Sequence, residues 1–407
     1  MNEIALPSLR TNKVGSSRED LRIHNLSLIL NLVHKNGSMS RSDLAAETGL
    51  NRSTISDLVF ELTDRGLLTE TERPQSTGVG RPSHMVSVNN LVVAIAVEVS
   101  NYAVRVAAVG LAGKVIERRR AVMGLLPEPS RTVDIVADLV TSIRTGLDKS
   151  VQIAGIGVSV PGQVNEQAGS LRVVTMLGWG EVELASMISE RTGLPVSLGN
   201  DGTLSCAAER DFGAGRGFSD IVYIYGGAGG IGGGVIVGGQ MLRGTSGFAG
   251  ELGHMRISDS KVEDSAGLAG TLEALLKRDD LLDALHLDDA EDDELTIEVL
   301  KSRSPRVKRL VERQIDLLGI AIANCVNIFN PEVILLAGFL SALFDADDYR
   351  LLAKARAGGL AGARERVLVR KAQLGANLVL VGAAEIAFAG LLADPAGFKL
   401  HPSKPTK

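Results

Sequence analysis

The sequence predicts an α/β protein: a small helical module with a winged end, then a duplicated α/β body with a cleft between two lobes. Three observations carry this expectation. Apolar residues recur at helical spacing over residues 21–62, then give way to two short strand-like runs around a Gly-rich tip. From residue 91, three strands, a helix and a strand are followed by a similar second set. A chain of 407 residues also exceeds one ordinary core, so two or three domains are expected.

The bulk composition excludes several classes. Hydrophobic residues make up 45% and charged residues 22%, enough to bury a sizeable core and too apolar for a disordered chain. A net charge of −5 argues against a basic coat but leaves room for a small DNA-binding module. Cys206 and Cys325 lie in apolar helical surroundings at a spacing that suits no metal site, so they read as reduced core thiols. No apolar run is read as approaching the roughly 18 residues that span a bilayer. The first twenty residues lack a signal-peptide core. A soluble cytoplasmic protein with no membrane partner is expected.

Each element of the first ninety residues follows from its spacing. Residues 1–20 are polar and read as loose. Leu26, Ile29, Leu30 and Val33 form one helical stripe over roughly 21–36, and Gly37 suits the exit. Ser40-Arg41-Ser42-Asp43 resembles a capping box with Asp in place of Glu. A short helix should follow, with Leu44 and Ala45 facing inward and Gly49 in the turn. Asn51 is a good cap for a further helix with Ile55, Leu58, Val59 and Leu62 on one side. Leu67–Thr71 and Met85–Val88 read as the strands of a wing.

This is the register of a winged helix-turn-helix over residues 21–89. The opposite face of the later helix carries Arg52, Ser53, Thr54 and Ser56, short polar groups able to reach phosphates and base edges in a major groove. The expected DNA-contacting set is Arg41, Asn51, Arg52, Ser53, Thr54 and Ser56, with Arg73 and Arg81 flanking the wing tip. Residues 1–90 hold ten Lys/Arg and ten Asp/Glu, so the module is neutral overall. The rival reading is a helical hairpin that docks on another protein.

In the body, Leu91–Val97, Tyr102–Val109 and Lys114–Arg118 read as strands, and a helix follows from Ser130. Val151–Val160 returns as a strand ending at Pro161-Gly162. The second set opens with Pro195–Leu198, which leads to Asn200-Asp201 and a helix through about Asp211. Ile221–Tyr225 is a strand, and residues 226–234 read as a tight glycine loop. A long helix over 306–329 precedes a buried strand at Glu332–Leu336.

At these residues the chain resembles the ROK family of repressors, open reading frames and kinases. The carriers are Gly80-Arg81-Pro82, Val160-Pro161-Gly162, Leu177-Gly178-Trp179, Asn200-Asp201, and above all residues 229–234 continued by Arg243 to His254. The resemblance spans nearly the whole chain. It implies an actin/hexokinase-like (ribonuclease H-like) two-lobed body, with a first lobe over 90–199, completed by a C-terminal helix near 382–394, and a second over 200–381. It also implies a sugar pocket at Asn200, Asp201, Glu251, His254 and Glu273, with Asp201 matching the general base of the kinases.

Two departures separate this chain from the kinases. Their Asp-x-Gly-Gly-Thr-type phosphate turn is Glu98-Val99-Ser100-Asn101-Tyr102 here, without either glycine. On the later nucleotide side, Gly338 is followed by the bulky Phe339. The family's zinc site pairs the histidine with three cysteines; the matching positions here are Asp264, Ala266 and Thr271. One His and one Asp do not make a four-ligand zinc site, so no metal is expected. With the phosphate turn altered, no cofactor and no catalytic residue are expected either. The expected function is a transcription regulator, a repressor, that binds an operator as a homodimer or homotetramer and responds to a sugar or sugar phosphate. The rivals are an active sugar kinase with a DNA-binding module, and a regulator whose body senses a partner protein.

Overall fold

The computed structural model describes residues 17–72, 84–100, 103–123, 127–166, 168–174, 177–227, 229–245, 247, 249–288 and 290–403. The chain forms two compact units. The first is Met1–Val88 with Gly390–Phe398, and the second is Asn89–Ala389 with Lys399–Lys407.

The first unit runs α1 (Arg18–Asn36), β1 (Ser38–Ser40), α2 (Arg41–Thr48), α3 (Arg52–Asp64), β2 (Leu68–Glu72) and β3 (His84–Val88). Two reciprocal capping boxes fix its helix starts: Ser17 with Asp20, and Ser40 with Asp43. The first of these sets α1 at Arg18, a few residues earlier than the apolar stripe suggests. Gly37 and Gly49 leave their helices at φ 79 and 70, a backbone that disfavours a side chain. Leu26, Ile29, Leu30, Leu44, Ile55, Val59 and Leu62 are fully buried as the core. The sheet has three strands in the order β1-β3-β2, all antiparallel. β1 was not expected, because three residues between Gly37 and a helix are too few to show a period. Residues 73–83, with Arg73 and Arg81, lie outside the described residues.

The second unit begins with β4 (Val92–Val99), β5 (Ala103–Gly110), β6 (Val115–Val122), α4 (Pro129–Gly146), β7 (Gln152–Val160), β8 (Gln163–Asn165), β9 (Ser170–Val173), α5 (Leu184–Thr192), β10 (Val196–Asn200) and α6 (Asp201–Phe212). It continues with β11 (Ile221–Gly227), β12 (Gly230–Val237), β13 (Gln240–Met241), α7 (Leu272–Leu275), α8 (Arg278–Leu285), α9 (Asp292–Lys301), α10 (Pro305–Phe329) and β14 (Val333–Gly338). It closes with α11 (Phe339–Ala346), α12 (Asp348–Gly358), β15 (Leu368–Lys371), α13 (Leu378–Ala393, whose last turn belongs to the first unit) and β16 (His401–Pro402).

Two sheets organise this unit. One has the order β10-β7-β4-β5-β6, with β16 added beside β7. Val133, Val136 and Val140 of α4 and Leu184 and Ile188 of α5 share a core with its β4 residues Val93, Ile95 and Val97. The other sheet has the order β13-β12-β11-β14-β15. Ile315, Leu318 and Ile322 of α10 pack with Val222, Ile224 and Leu336 of this sheet, while Cys206 of α6 and Val381 of α13 pack with Tyr223 and Leu335.

Three expectations are corrected. Pro195–Leu198 does not open the second set: β10 pairs in parallel with β7, Val196 opposite Ile156, and completes the first sheet. Residues 226–234 are not one loop. Most of them are strand, since β11 and β12 pair as a hairpin from Ile221↔Ile236 to Gly227↔Gly230. Its glycines serve close packing instead: a Cβ on Gly233 would stand 2.9 Å from the Gly250 carbonyl oxygen. Finally, an apolar run of bilayer length does exist at Gly375–Ala393. Leu380, Val381, Ala383, Ala384, Phe388 and Leu391 within it are buried in protein, as in a core helix.

Candidate functional site

The second unit contains a cleft of about 1300 Å³, and all five sequence-predicted pocket residues line it. Asn200 and Asp201 arrive at the junction of β10 and α6. The Asn200 side chain caps α6 by accepting from the Thr203 amide at 3.1 Å, and its Nδ2 donates to the Gly162 carbonyl at 3.1 Å. Gly162 has φ +106, and a Cβ there would lie 2.7 Å from the Val173 carbonyl oxygen, so the residue must be glycine. The amide of Asn200 is therefore fixed by two anchors. The capping role and the cleft-lining role coexist in one side chain.

Asp201 accepts from the Gly202 amide at 2.8 Å with Oδ1. Burial, with the negative charges of Glu98 and Glu251, pushes its carboxyl up to about 6. α6 can bring it so close to β12 because Gly202 has no side chain; a Cβ there would meet the Gly233 carbonyl oxygen at 2.6 Å.

Glu251, His254 and Glu273 come from the segment after β13. Glu273 is not a solvated carboxylate. Its Oε2 accepts from the Ile231 amide at 2.9 Å, and its Oε1 accepts from the Ser265 amide at 3.1 Å and hydroxyl at 2.6 Å. Gly230, at φ +127, leaves room for that carboxylate: a Cβ would meet Oε2 at 2.2 Å. His254 Nδ1 lies 2.9 Å from Asp264 Oδ2. Burial disfavours the charged imidazole, but the Asp264 hydrogen bond and the Glu273, Asp264 and Glu251 carboxylates outweigh it, so the net shift is upward. Glu251 is exposed to the cleft.

Two cleft residues, Arg105 and Tyr225, escape sequence reading, which finds Glu98 only as the start of the altered phosphate turn. Glu98 at the end of β4 forms an ion pair with Arg105 of β5. Tyr225 of β11 lines the cleft from the other sheet, its hydroxyl proton held strongly by burial. Phe339, in contrast, does not enter the cleft. Its ring is buried against Gly226, so it is a core residue.

In the first unit, Asn51 caps α3 by accepting from the Thr54 amide at 2.9 Å, and Ser53 donates to the same Asn51 oxygen at 2.6 Å. Arg52 and Ser53 are exposed; Thr54 and Ser56 are half-buried. Arg41 is engaged internally. Its guanidinium holds both Glu70 oxygens of β2 at 2.8 Å and donates to Ser56 Oγ at 3.2 Å. These contacts brace α2 and α3 against the sheet.

Comparison with known proteins agrees with this layout. A profile described as ROK family matches residues 94–389, and one described as winged helix-turn-helix DNA-binding matches residues 25–69. The xylose repressor of Bacillus spizizenii is 30% identical over 330 residues, covering 77% of this chain and 81% of that protein. The xylose repressor of Caldicellulosiruptor bescii is 28% identical over 339 residues, covering 79% and 85%. A crystal structure of a ROK family transcriptional regulator, a homologue of the E. coli MLC protein, superposes with TM-score 0.74 at 23% identity, covering 92% of this chain and 97% of that one. A ROK family glucokinase from Streptomyces griseus, in complex with glucose and AMPPNP, has TM-score 0.63 at 24% identity, covering 73% of this chain and 100% of that one. These two structures establish the fold: a winged helix-turn-helix and an actin/hexokinase-like body. A DNA-binding module joined to a sugar-kinase-like body defines a transcription regulator. The chain belongs to the ROK family.

Proposed function

We propose that this chain is a cytoplasmic repressor that binds its operator as a symmetric homo-oligomer and is controlled by a neutral sugar held at Asn200, Asp201, Glu251, His254 and Glu273. The observation that carries the reading is the convergence of these five side chains on one cleft. Amide, carboxylate and imidazole groups there match the paired donors and acceptors of adjacent sugar hydroxyls. Two relatives that share about four fifths of their length with this chain are xylose repressors, which makes a pentose the first candidate. Exposed Arg52 and Ser53, with Asn51, Thr54 and Ser56 beside them, would meet the DNA, and paired modules would read paired half-sites.

The body is read as a sensor without phosphotransfer. Where the kinases of the family have the two glycines of their phosphate turn, this chain has Ser100 and Asn101, while the buried Glu98, which matches the Asp of that turn, is paired with Arg105. A turn without those glycines loses the open backbone that cradles phosphate, and Asp201 by itself has no phosphoryl group to work with.

Calorimetry with xylose, glucose, N-acetylglucosamine and their phosphates tests the pocket. A neutral sugar should bind the natural protein, and Asp201→Ala should weaken it at least tenfold. Equal binding by the variant would remove Asp201 from the site.

A further inference from the structure

We infer that Asp264 is the positioning residue of the cleft: by hydrogen bonds alone it closes the 256–271 loop and holds His254 with its proton on Nδ1 and Nε2 presented to the ligand. The inference rests on the sugar-site reading above for the ligand's nature, and on geometry for everything else.

The bonding of Asp264 is complete. Oδ1 accepts from the Ala266 and Leu268 amides, each at 2.9 Å. Oδ2 accepts from the Thr271 hydroxyl at 2.7 Å and faces His254 Nδ1 at 2.9 Å. A carboxylate offers about four lone-pair sites, and all four are used. The side chain is fully buried although the loop around it is exposed. His254 precedes this loop and Thr271 ends it, so one carboxylate ties entry to exit. Backbone bonds follow the same closure, from Ile257 and Ser258 to the Gly270 carbonyl and from Leu272 to that of Met255.

A zinc ion, as the family resemblance implies, does not fit this arrangement. His254, Asp264 and Glu273 bring ligand atoms within 4.8 Å of one another, but they are three groups with no thiolate. Two ligands on a tetrahedral zinc with bonds of about 2.0–2.1 Å would stand roughly 3.3 Å apart. The 2.9 Å between His254 and Asp264 is hydrogen-bond contact. Both Glu273 oxygens already accept protein donors.

The direction of the His254 bond follows from charge. A saturated, buried carboxylate is an acceptor only, so Nδ1 must be the donor. In the neutral ring Nε2 is then an acceptor, suited to a sugar hydroxyl proton. His254 lines the cleft and is the imidazole counterpart of Glu251 and Asp201 there.

The test combines metal analysis with long-range ¹H–¹⁵N NMR of the full chain, with His254 assigned by the signal lost in His254→Gln. The natural protein should contain no stoichiometric zinc after growth in zinc-supplemented medium, and EDTA should leave its melting temperature unchanged. Neutral His254 should show the Nδ1–H tautomer. In Asp264→Asn the new amide oxygen stays on the Ala266 and Leu268 amides, its NH2 faces His254, and the tautomer should switch to Nε2–H. Affinity for any sugar that binds should fall roughly two- to tenfold, the loss of one oriented hydrogen bond. An Nε2–H tautomer in the natural protein, or one zinc per chain lost in His254→Gln, would overturn the inference. If Asp264→Asn does not fold, the tautomer and metal content of the natural protein still decide the matter. If no sugar binds but the tautomer is as stated, the sugar reading falls and the role of Asp264 stands.

Discussion

Glu98 and Arg105 stand directly opposite each other on β4 and β5 and form an ion pair, with side-chain exposures of 9% and 33%. One Glu98 oxygen is taken by the guanidinium, and Oε2 has no hydrogen-bond partner among the described residues. Arg105 is thus the main compensation for a buried negative charge at the position that opens the altered turn.

Arg105→Ala should therefore destabilise the body by about 2–4 kcal/mol, because it strands that charge. Glu98→Gln with Arg105→Ala should recover much of the loss. Urea melts of the single and double variants measure the difference. Equal losses in both would show that Arg105 acts through packing alone.

The turn that follows Glu98 bears on catalysis, because Ser100 and Asn101 stand where the kinases have glycines. Sugar-dependent ATP turnover should stay far below the roughly 1 per second at the low end of typical enzymes. A coupled assay over the sugar panel checks this, and turnover at enzymic rates would make the body a working kinase.

Asp201 gives a pH signature. Its carboxyl titrates near 6 in the fold against 3.8 unperturbed. A raised folded value means that the unfolded chain binds fewer protons between the two. Stability therefore falls as pH rises from about 4 to about 6, and the full cost, on the order of 2–3 kcal/mol, is present above that. Asp201→Asn should raise the melting temperature at pH 8 and leave it nearly unchanged at pH 4. Sugar affinity should weaken as pH drops below about 6, where the carboxylate acceptor is lost, and the Asn variant should flatten that profile.

On the DNA side, Arg52 is exposed in the first turn of α3, beside its Asn51 cap. Arg52→Ala should weaken operator binding by about 1–3 kcal/mol without changing the melting temperature. Arg41→Ala should do the reverse in part, lowering stability through the lost Glu70 clamp.

The features legible in the sequence are those set by near neighbours. Ser40 with Asp43, Asn51 with the Thr54 amide, and Asn200 with the Thr203 amide are all contacts three residues apart. The stripe of α10 is likewise local. What escaped depends on strand register or loop closure. Arg105 meets Glu98 only because β4 and β5 pair in one particular way. The glycines of β12 looked like a loop because tight packing against Gly202 and Gly250 demands the same residue that turns demand. Asp264 carried a signal, a carboxylate where the family has a thiolate, but its four partners exist only once the loop has closed.

The central claim is that ligand in the body governs DNA affinity in the winged module. Its most direct test is fluorescence anisotropy on an operator selected by the full chain from random duplex DNA. The titration is repeated with each sugar of the panel at fixed salt. One neutral sugar should change operator affinity 5- to 150-fold, a coupling of about 1–3 kcal/mol. The Asp201→Ala protein should bind the same DNA and ignore that sugar. Operator affinity unmoved by every sugar, in a protein that binds its DNA well, would contradict the account.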